Sequence, residues 1–307
     1  MSGFVLVSIL MSVVGVSTPI LIAALGELVV EKSGVLNLGV EGMMLIGAVT
    51  GFAVTYVTGS PWIGVLAAAL AAMIAALMFG YLTLSLTSNQ VATGLALTIF
   101  GISLSSLIGN GFVGLTVPAF GAVFPPALAQ DPMLRAVFGY SPIVYFSFVM
   151  TAAVWWFLLR SRAGLILRAV GENDHSAHSI GYDVIAVRYA AVAFGGAMAG
   201  IAGTYYSLVL TPMWAEQLTA GRGWIALALV VFSVWKPLRL LAGAYLFGLV
   251  MTIELQSKAA GVALVPPEFL ASLPYIATIV VLALISLRKS GATAAPACLG
   301  HPFKPSI

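Results

Sequence analysis

The sequence predicts an all-α polytopic membrane protein with about eight to nine transmembrane helices, one of them a short half-helix. Hydrophobic residues make up 61% of the 307 residues and charged residues 7%, whereas soluble domains are about 25% charged. Apolar runs of roughly 20 residues, long enough to cross a bilayer as a helix, recur along the chain. The alternating ten-residue segments of a membrane β-barrel do not occur in the sequence. Helices rather than barrel strands are therefore expected to fill the bilayer.

Nine apolar segments define the expected order of elements. They are 4–25, 35–57, 62–86, 91–111, 142–159, 188–210, 224–235, 238–257 and 273–287. The first lacks the basic residues that begin a signal peptide, so we expect it to be retained as a span. Segment 224–235 is too short to cross about 30 Å of hydrocarbon, which predicts the half-helix. We expect a single transmembrane domain over 1–290, followed by a short cytoplasmic tail over 291–307.

The positions of lysine and arginine predict the orientation, because cytoplasmic loops carry an excess of both. We place segment 160–187 inside and segment 112–141 outside, and alternate the spans from there. Ten basic residues then lie inside: Lys32, Arg160, Arg162, Arg168, Arg188, Lys236, Arg239, Arg288, Lys289 and Lys304. Three lie outside: Arg135, Arg222 and Lys258. The N-terminus is therefore expected outside and the C-terminus inside.

Segment 160–187 is unusually charged for so apolar a chain. The stretch RAVGENDHSAHSIGYDVIAVR, residues 168–188, holds five charged residues and two histidines. Asn173 is a favourable N-cap, Asp174 suits a helix N-terminus, and Gly181 can end the segment. The two-turn helix predicted between them is too short to be stable unless it docks on something. The segment is either a solvated connector or a rigid knob inserted into a cytoplasmic partner.

Metal and catalytic sites are not expected. His175 and His178 can share a helix face, but two ligands without a third are more often surface histidines than a metal site. No cluster of histidine and acidic residues, and no nucleophile with a nearby base, occurs among the spans. The chain also lacks a G-x-x-x-x-G-K-[ST] phosphate-binding loop. Any ATP-driven work would therefore depend on another subunit.

Two polar residues at the start of the second span are candidates for the translocation pathway. Asn37 and Glu41 are four residues apart and would share one face of a helix. A carboxylate is costly in hydrocarbon, so Glu41 must face protein or water. It is either a pathway residue or a structural group that binds the free backbone atoms of a broken helix, and we favour the structural role.

Several further polar residues have both a structural and a functional interpretation, and a group of small residues indicates helix packing. Asn89, Gln90 and Thr93 either cap the fourth span or contribute to a gate. Arg222 and Lys258 are either unpaired surface charges or docking points for an acidic surface of a delivery protein. Small residues at four-residue spacing predict close helix packing in the sixth span: Gly195, Ala199 and Gly203, with Gly196 and Gly200 beside them.

Four stretches resemble one family of membrane proteins. RAVGENDHSAHSIGYDVIAVRYAAVAFGGAMAGIAG, from Arg168, resembles the cytoplasmic loop and following helix of ATP-binding-cassette (ABC) importer permeases of the ribose, branched-chain amino-acid and nucleoside branch. GELVVEKSGVLNLGVEGMMLIGA (26–48) is similar to the nucleoside and simple-sugar members in particular. NQVATGLALTIFG (89–101) and GRGWIALALVVFSVWKPLRLLAGAYLFG (221–248) match in the same order.

The resemblance implies the ABC importer permease fold and a coupling helix that docks on an ATPase. The residues that would make this contact are Gly171, Glu172, Asn173, Asp174, His175, Ser176, Ala177, His178 and Gly181. Two departures stand out. The wider importer motif has Glu-Ala-Ala at 175–177, where this chain has His-Ser-Ala, and members of this branch often have proline in place of Asp174.

The resemblance also implies the partners and the substrate. The partners would be an ATPase subunit, a second permease subunit (identical or different), an extracytoplasmic substrate-binding protein and the lipid bilayer, without nucleic-acid polymers. The chain itself would bind no cofactor, because ATP belongs to the partner. It would move nucleosides or simple sugars across the bacterial cytoplasmic membrane by alternating access. A stand-alone secondary transporter is the alternative, but such a protein needs its own ion-coupling carboxylates, and Glu41 is the one convincing candidate.

Overall fold

The computed structural model describes residues 2–129, 131, 133–259 and 295–304, with isolated positions at 266, 269, 272, 276, 279, 280 and 283. Within these residues the chain is helical apart from loops and one isolated antiparallel bridge between Thr116 and Met213. The helices are Ser2–Lys32 (α1), Val40–Thr58 (α2), Pro61–Gly80 (α3), Gln90–Gly109 (α4), Pro126–Ala129 (α5), Arg135–Phe138 (α6), Pro142–Arg160 (α7), Arg162–Glu172 (α8), Asp174–Ser179 (α9), Val184–Tyr205 (α10), Arg222–Phe232 (α11) and Pro237–Ala259 (α12).

Seven of these helices are long and apolar enough to cross a membrane: α1, α2, α3, α4, α7, α10 and α12. The 11-residue α11 is apolar but shorter. At about 1.5 Å per residue it spans roughly 16 Å, about half of the hydrocarbon thickness. The predicted all-α polytopic fold is confirmed, including the short apolar half-helix predicted at 224–235, which is α11. The predicted ninth span, 273–287, lies almost entirely outside the described residues.

Local chemistry explains several helix ends. Pro61 and Pro142 occupy the first positions of α3 and α7, where a missing backbone N–H costs nothing. The Asp183 carboxylate accepts a hydrogen bond of 2.9 Å from the backbone N–H of Ala186 and so caps α10. Gly59, with φ of +70°, ends α2 in the left-handed conformation that glycine adopts easily.

The first loop differs from the prediction. α1 continues to Lys32 instead of ending near residue 25, and α2 begins at Val40 instead of residue 35. Asn37 therefore lies in the loop 33–39, and the predicted shared helix face of Asn37 and Glu41 is wrong. The helix can continue past its apolar part because Glu27 and Glu31 are buried with hydrogen-bonding partners.

Segment 160–187 is almost entirely helical. The sequence predicted only its second helix, α9, and missed α8. Ser161 caps α8 by accepting a hydrogen bond of 2.9 Å from the backbone N–H of Gly164. The buried positions Gly164, Leu167, Val170 and Gly171 recur at helical spacing. The basic residues Arg160, Arg162 and Arg168, on which the prediction of an exposed loop depended, hid this pattern.

Helix α10 is the centre of the bundle and packs against α1, α2 and α3. Its small residues permit this approach, as predicted. A Cβ atom on Gly200 would overlap the carbonyl oxygen of Ala68, and one on Gly203 would overlap that of Met44. The backbones of α2, α3 and α10 are therefore in direct contact.

Replacing Gly203 by alanine is expected to destabilise the bundle by about 1–3 kcal/mol, because backbone atoms of α2 cannot move aside as a side chain can. Gly111 is the matched control, since a Cβ atom there would meet nothing within 4 Å. Thermal unfolding of the purified variants in detergent measures the difference. Equal melting temperatures for Gly203→Ala and Gly111→Ala would contradict the expected contact.

Candidate functional site

The short helix α9 has the caps that its sequence predicts. The Asn173 side-chain oxygen accepts a hydrogen bond of 2.9 Å from the backbone N–H of Ser176. Gly181, with φ of +95°, ends the segment, and its N–H donates to the carbonyl of His178 at 2.9 Å. Asp174 and Ala177 are buried, whereas His175 and His178 are exposed. One face of α9 is therefore fixed to the protein and the other is open.

A buried ion pair fixes that inner face. The Arg188 guanidinium, in the first turns of α10, lies 3.0 Å from the Asp174 carboxylate, and the two side chains are 0% and 8% exposed. Arg188 also donates to the carbonyl of Ser33 at 3.1 Å and to that of His301 at 3.4 Å. One buried cation thus connects α9 and α10 with the loop 33–39 and the C-terminal segment. The sequence analysis identified Arg188 only as one of the basic residues predicted on the cytoplasmic side of the membrane.

The C-terminal segment 295–304 packs against α8, α9 and the loop 33–39. The N–H of Cys298 donates to the carbonyl of Gly171 at 2.9 Å, and that of Gly300 donates to Gly34 at 3.1 Å. The Phe303 ring lies 5.4 Å from the rings of both His175 and His178. Burial raises the pKa of the Cys298 thiol. The sequence carried no signal for this contact, because the segment resembles a flexible tail.

Glu41 binds the N-terminus of the half-helix α11. Its carboxylate accepts hydrogen bonds from the Thr219 hydroxyl at 2.5 Å, from the Gly221 N–H at 2.8 Å and from the Gly223 N–H at 2.6 Å. The first N–H groups of a helix have no partners within the helix and carry partial positive charge. A buried carboxylate is well suited to both features. This geometry corresponds to the structural alternative for Glu41.

Two of the other four pathway candidates meet at the loop 33–39. The Gln90 side-chain oxygen accepts from the N–H of Leu36 at 2.8 Å, and that of Asn37 accepts from Gly39 at 2.8 Å. Asn89 caps α4 by accepting from the N–H of Ala92 at 3.0 Å. The Thr93 hydroxyl lies 2.9 Å from that of Ser88. Asn37 and Gln90 therefore come together at the loop, whereas Asn89 and Thr93 form local bonds.

Of the two candidate docking residues, only Arg222 has a described side chain. The Arg222 guanidinium lies over the ring of Tyr206, 5.1 Å from its centroid. The side chain of Lys258 lies outside the described residues. In the described part of the chain, no group of three or more histidine, cysteine or acidic residues is arranged to hold a metal ion.

Seven candidate spans, a half-helix and a short helix anchored by a buried ion pair define a polytopic membrane protein. The chain belongs to the family described as branched-chain amino acid transport system / permease component, which matches residues 9–287. The resemblance found in the sequence is confirmed. The family makes the chain a permease component, and ATP hydrolysis belongs to a separate subunit. No solved structure matches the chain.

Several curated relatives match over most of their length. The chain is 40% identical to the putative glucose ABC transporter permease protein TsgC13 of Haloferax volcanii, covering 95% of both chains. It is 28% identical to the nucleoside ABC transporter permease protein NupC of Lactococcus lactis, over 87% of this chain and 89% of the relative. The guanosine ABC transporter permease protein NupQ of Bacillus subtilis is also 28% identical, over 87% and 88%. All three are ABC transporter permeases by name.

Proposed function

We propose that the chain is the permease subunit of an ABC importer that moves nucleosides or simple sugars into the cell through the bacterial cytoplasmic membrane. The substrate class is supported by the names of the relatives, which refer to glucose, nucleosides and guanosine. The observation that carries the import mechanism is α9, a polar helix whose inner face is held by the Arg188–Asp174 pair. A helix with one anchored face and one open face can receive a displacement from a soluble partner and pass it to the bundle.

The contacts provide a route for that displacement. From Asp174 it reaches Arg188, and Arg188 binds the carbonyl of Ser33 in the loop 33–39. The same loop is bound by Gln90 of α4 and by Glu27 of α1. Helix α2 begins directly after it and binds α11 through Glu41. Movement of α9 would therefore reach five helices of the bundle (α1, α2, α4, α10 and α11) and could tilt them between outward-open and inward-open states.

The proposed mechanism requires several partners, because this chain would form the membrane pathway and another subunit would drive it. A separate ATPase subunit would bind ATP and grip residues 171–181, and this chain would need no cofactor of its own. A second permease subunit would complete the pathway, and an extracytoplasmic binding protein would deliver the substrate. Arg222 remains a candidate contact for that protein, and Lys258 is proposed beside it from the sequence.

The proposed orientation has a direct test with engineered cysteines in a Cys298→Ser background. Ser179 is exposed at the end of α9, and Met133 is 78% exposed in segment 112–141. A membrane-impermeant maleimide is expected to label Met133→Cys in sealed cells, but to label Ser179→Cys only after the membrane is opened. The reverse pattern would contradict the cytoplasmic position of α9, and with it the proposed contact with an ATPase.

The function is tested by copurification followed by uptake. The solubilised chain is expected to bring down an ATPase and a binding protein, and the latter is expected to bind a nucleoside or a simple sugar. Reconstituted vesicles should take up that compound only when the ATPase, the binding protein and ATP are all present. Full uptake by vesicles that contain no other polypeptide would overturn the proposal in favour of a stand-alone transporter.

A further inference from the structure

A second polar feature lies at the end of the bundle that carries α9, and the transport mechanism does not use it. A pocket of about 460 Å³ opens between the last turns of α1 and α7, the middle of α8 and the start of α12. Four basic residues line it: Lys32, Arg168, Lys236 and Arg239. They are four of the 13 lysines and arginines in the whole chain. We call this feature the basic pocket.

The positive charge of the basic pocket is only partly offset within the described part of the chain. None of its four cations forms an ion pair within 4.0 Å there. The Arg168 Nε is buried and has no hydrogen-bond partner. The carboxylates of Glu172 and Glu31 offset part of the charge of Lys32, which leaves an excess of positive charge from the four basic side chains. The N-terminus of the 23-residue α12 adds partial positive charge.

The shape of the basic pocket is held by a strained turn. Val234 and Trp235 line it and have φ of +54° and +52°, a left-handed conformation that is costly for residues other than glycine, above all for β-branched valine. The bond from the Trp235 indole to Glu31 holds this turn, and the Lys32 ammonium lies 6.0 Å from the centre of the Trp235 ring. The four basic side chains therefore line a cavity whose wall is held in place by the hydrogen bond between Trp235 and Glu31.

The position of the pocket along the helices identifies the chemistry of the anion. Lys32 is the last residue of α1, and Lys236 immediately precedes α12. Both are candidate spans, so the cations lie where a bilayer changes from hydrocarbon to headgroups. Beside them, Trp155, Leu159 and Leu238 supply an apolar wall. A ligand that satisfies both parts has a negative phosphate next to an acyl chain.

We propose that the basic pocket binds an anionic glycerophospholipid, with its phosphate among the four cations and an acyl chain along the apolar wall. Basic pockets between membrane helices are suited to such headgroups. Free inorganic phosphate shares the anionic chemistry but would leave the apolar wall unused. The binding is independent of the substrate and of the direction of transport.

Native mass spectrometry of the purified full chain tests the proposal with phosphatidylglycerol and phosphatidylcholine of identical acyl chains. The wild type is expected to retain phosphatidylglycerol preferentially. The variant Lys236→Gln/Arg239→Gln should weaken this retention by about thirtyfold, since each basic residue near an anionic surface contributes about fivefold in affinity. Both side chains are exposed, so their replacement leaves the core intact.

The matched control is Arg160→Gln/Arg162→Gln, which removes the same charge from the exposed last residue of α7 and first residue of α8, outside the pocket lining. It should retain phosphatidylglycerol as the wild type does. Equal losses in both double variants, equal retention of the two lipids by the wild type, or displacement of the lipid by inorganic phosphate would each overturn the proposal. So would loss of a copurified ATPase from Lys236→Gln/Arg239→Gln with unchanged lipid retention, because the pocket would then be a protein contact.

Discussion

Replacing Arg188 by methionine is expected to reduce ATP-driven uptake to background and to lower the free energy of unfolding by about 3–5 kcal/mol. The substitution leaves the buried carboxylate of Asp174 without its counter-ion. It also removes the donors to the carbonyls of Ser33 and His301. Thermal unfolding in detergent and uptake by vesicles containing the complete importer measure the two effects. The exposed Arg162→Gln is the matched control and should change neither quantity.

A double variant separates stability from coupling. Arg188→Met combined with Asp174→Leu removes both buried charges, and apolar replacement of a whole buried pair is often neutral for stability. We therefore expect the double variant to recover most of the lost stability but to remain inactive in uptake, because α9 is no longer bound to the loop 33–39. Wild-type uptake by Arg188→Met, or full recovery of uptake in the double variant, would contradict a coupling role for this pair.

Replacing Glu41 by leucine is expected to have a comparable effect at the half-helix. The hydroxyl of Thr219 and the N–H groups of Gly221 and Gly223 would lose their acceptor. A buried donor left without an acceptor costs about 1–3 kcal/mol. We expect a large fall in melting temperature and loss of assembled importer. The measurements are thermal unfolding and copurification of the ATPase.

The glutamine variant distinguishes the two interpretations of Glu41. The amide of Glu41→Gln keeps one acceptor but turns a donor towards backbone N–H groups, so an intermediate loss of stability is expected. The exposed Glu216 lies in the same loop as Thr219, and Glu216→Gln should behave as the wild type. Normal stability of Glu41→Gln together with altered substrate specificity would instead support a pathway role.

The spans and the short helix α9 could be predicted because their causes are local. A bilayer requires continuous apolar helices, and the hydropathy of successive residues shows directly where such helices lie in the sequence. The capping of α9 by Asn173 depends on atoms three residues apart. The family was also recognisable, because its motifs are continuous stretches of sequence. What these features share is that each is encoded within one segment of the chain.

The features that the sequence did not reveal depend on distant partners. The first span was predicted to end at residue 25, but the helix continues to Lys32, and its buried Glu27 and Glu31 accept hydrogen bonds from the Asn37 N–H and the Trp235 indole. Trp235 is 204 positions away from Glu31, a separation that no local pattern can bridge. The sequence indicated that Glu41 must face protein or water, and it left the roles of the other polar candidates open. Their partners, such as the half-helix for Glu41, were visible only once the chain was folded.

The packing of the C-terminal segment has a consequence for biogenesis. Phe303 reaches α9 and Cys298 reaches the last turn of α8 only after every helix from α1 to α12 has been translated. A polypeptide released before Phe303 is added could still insert into the lipid, but it would lack this contact on α9, the surface proposed to bind the ATPase. In the proposed importer, assembly with the ATPase would therefore discriminate against chains that end before Phe303.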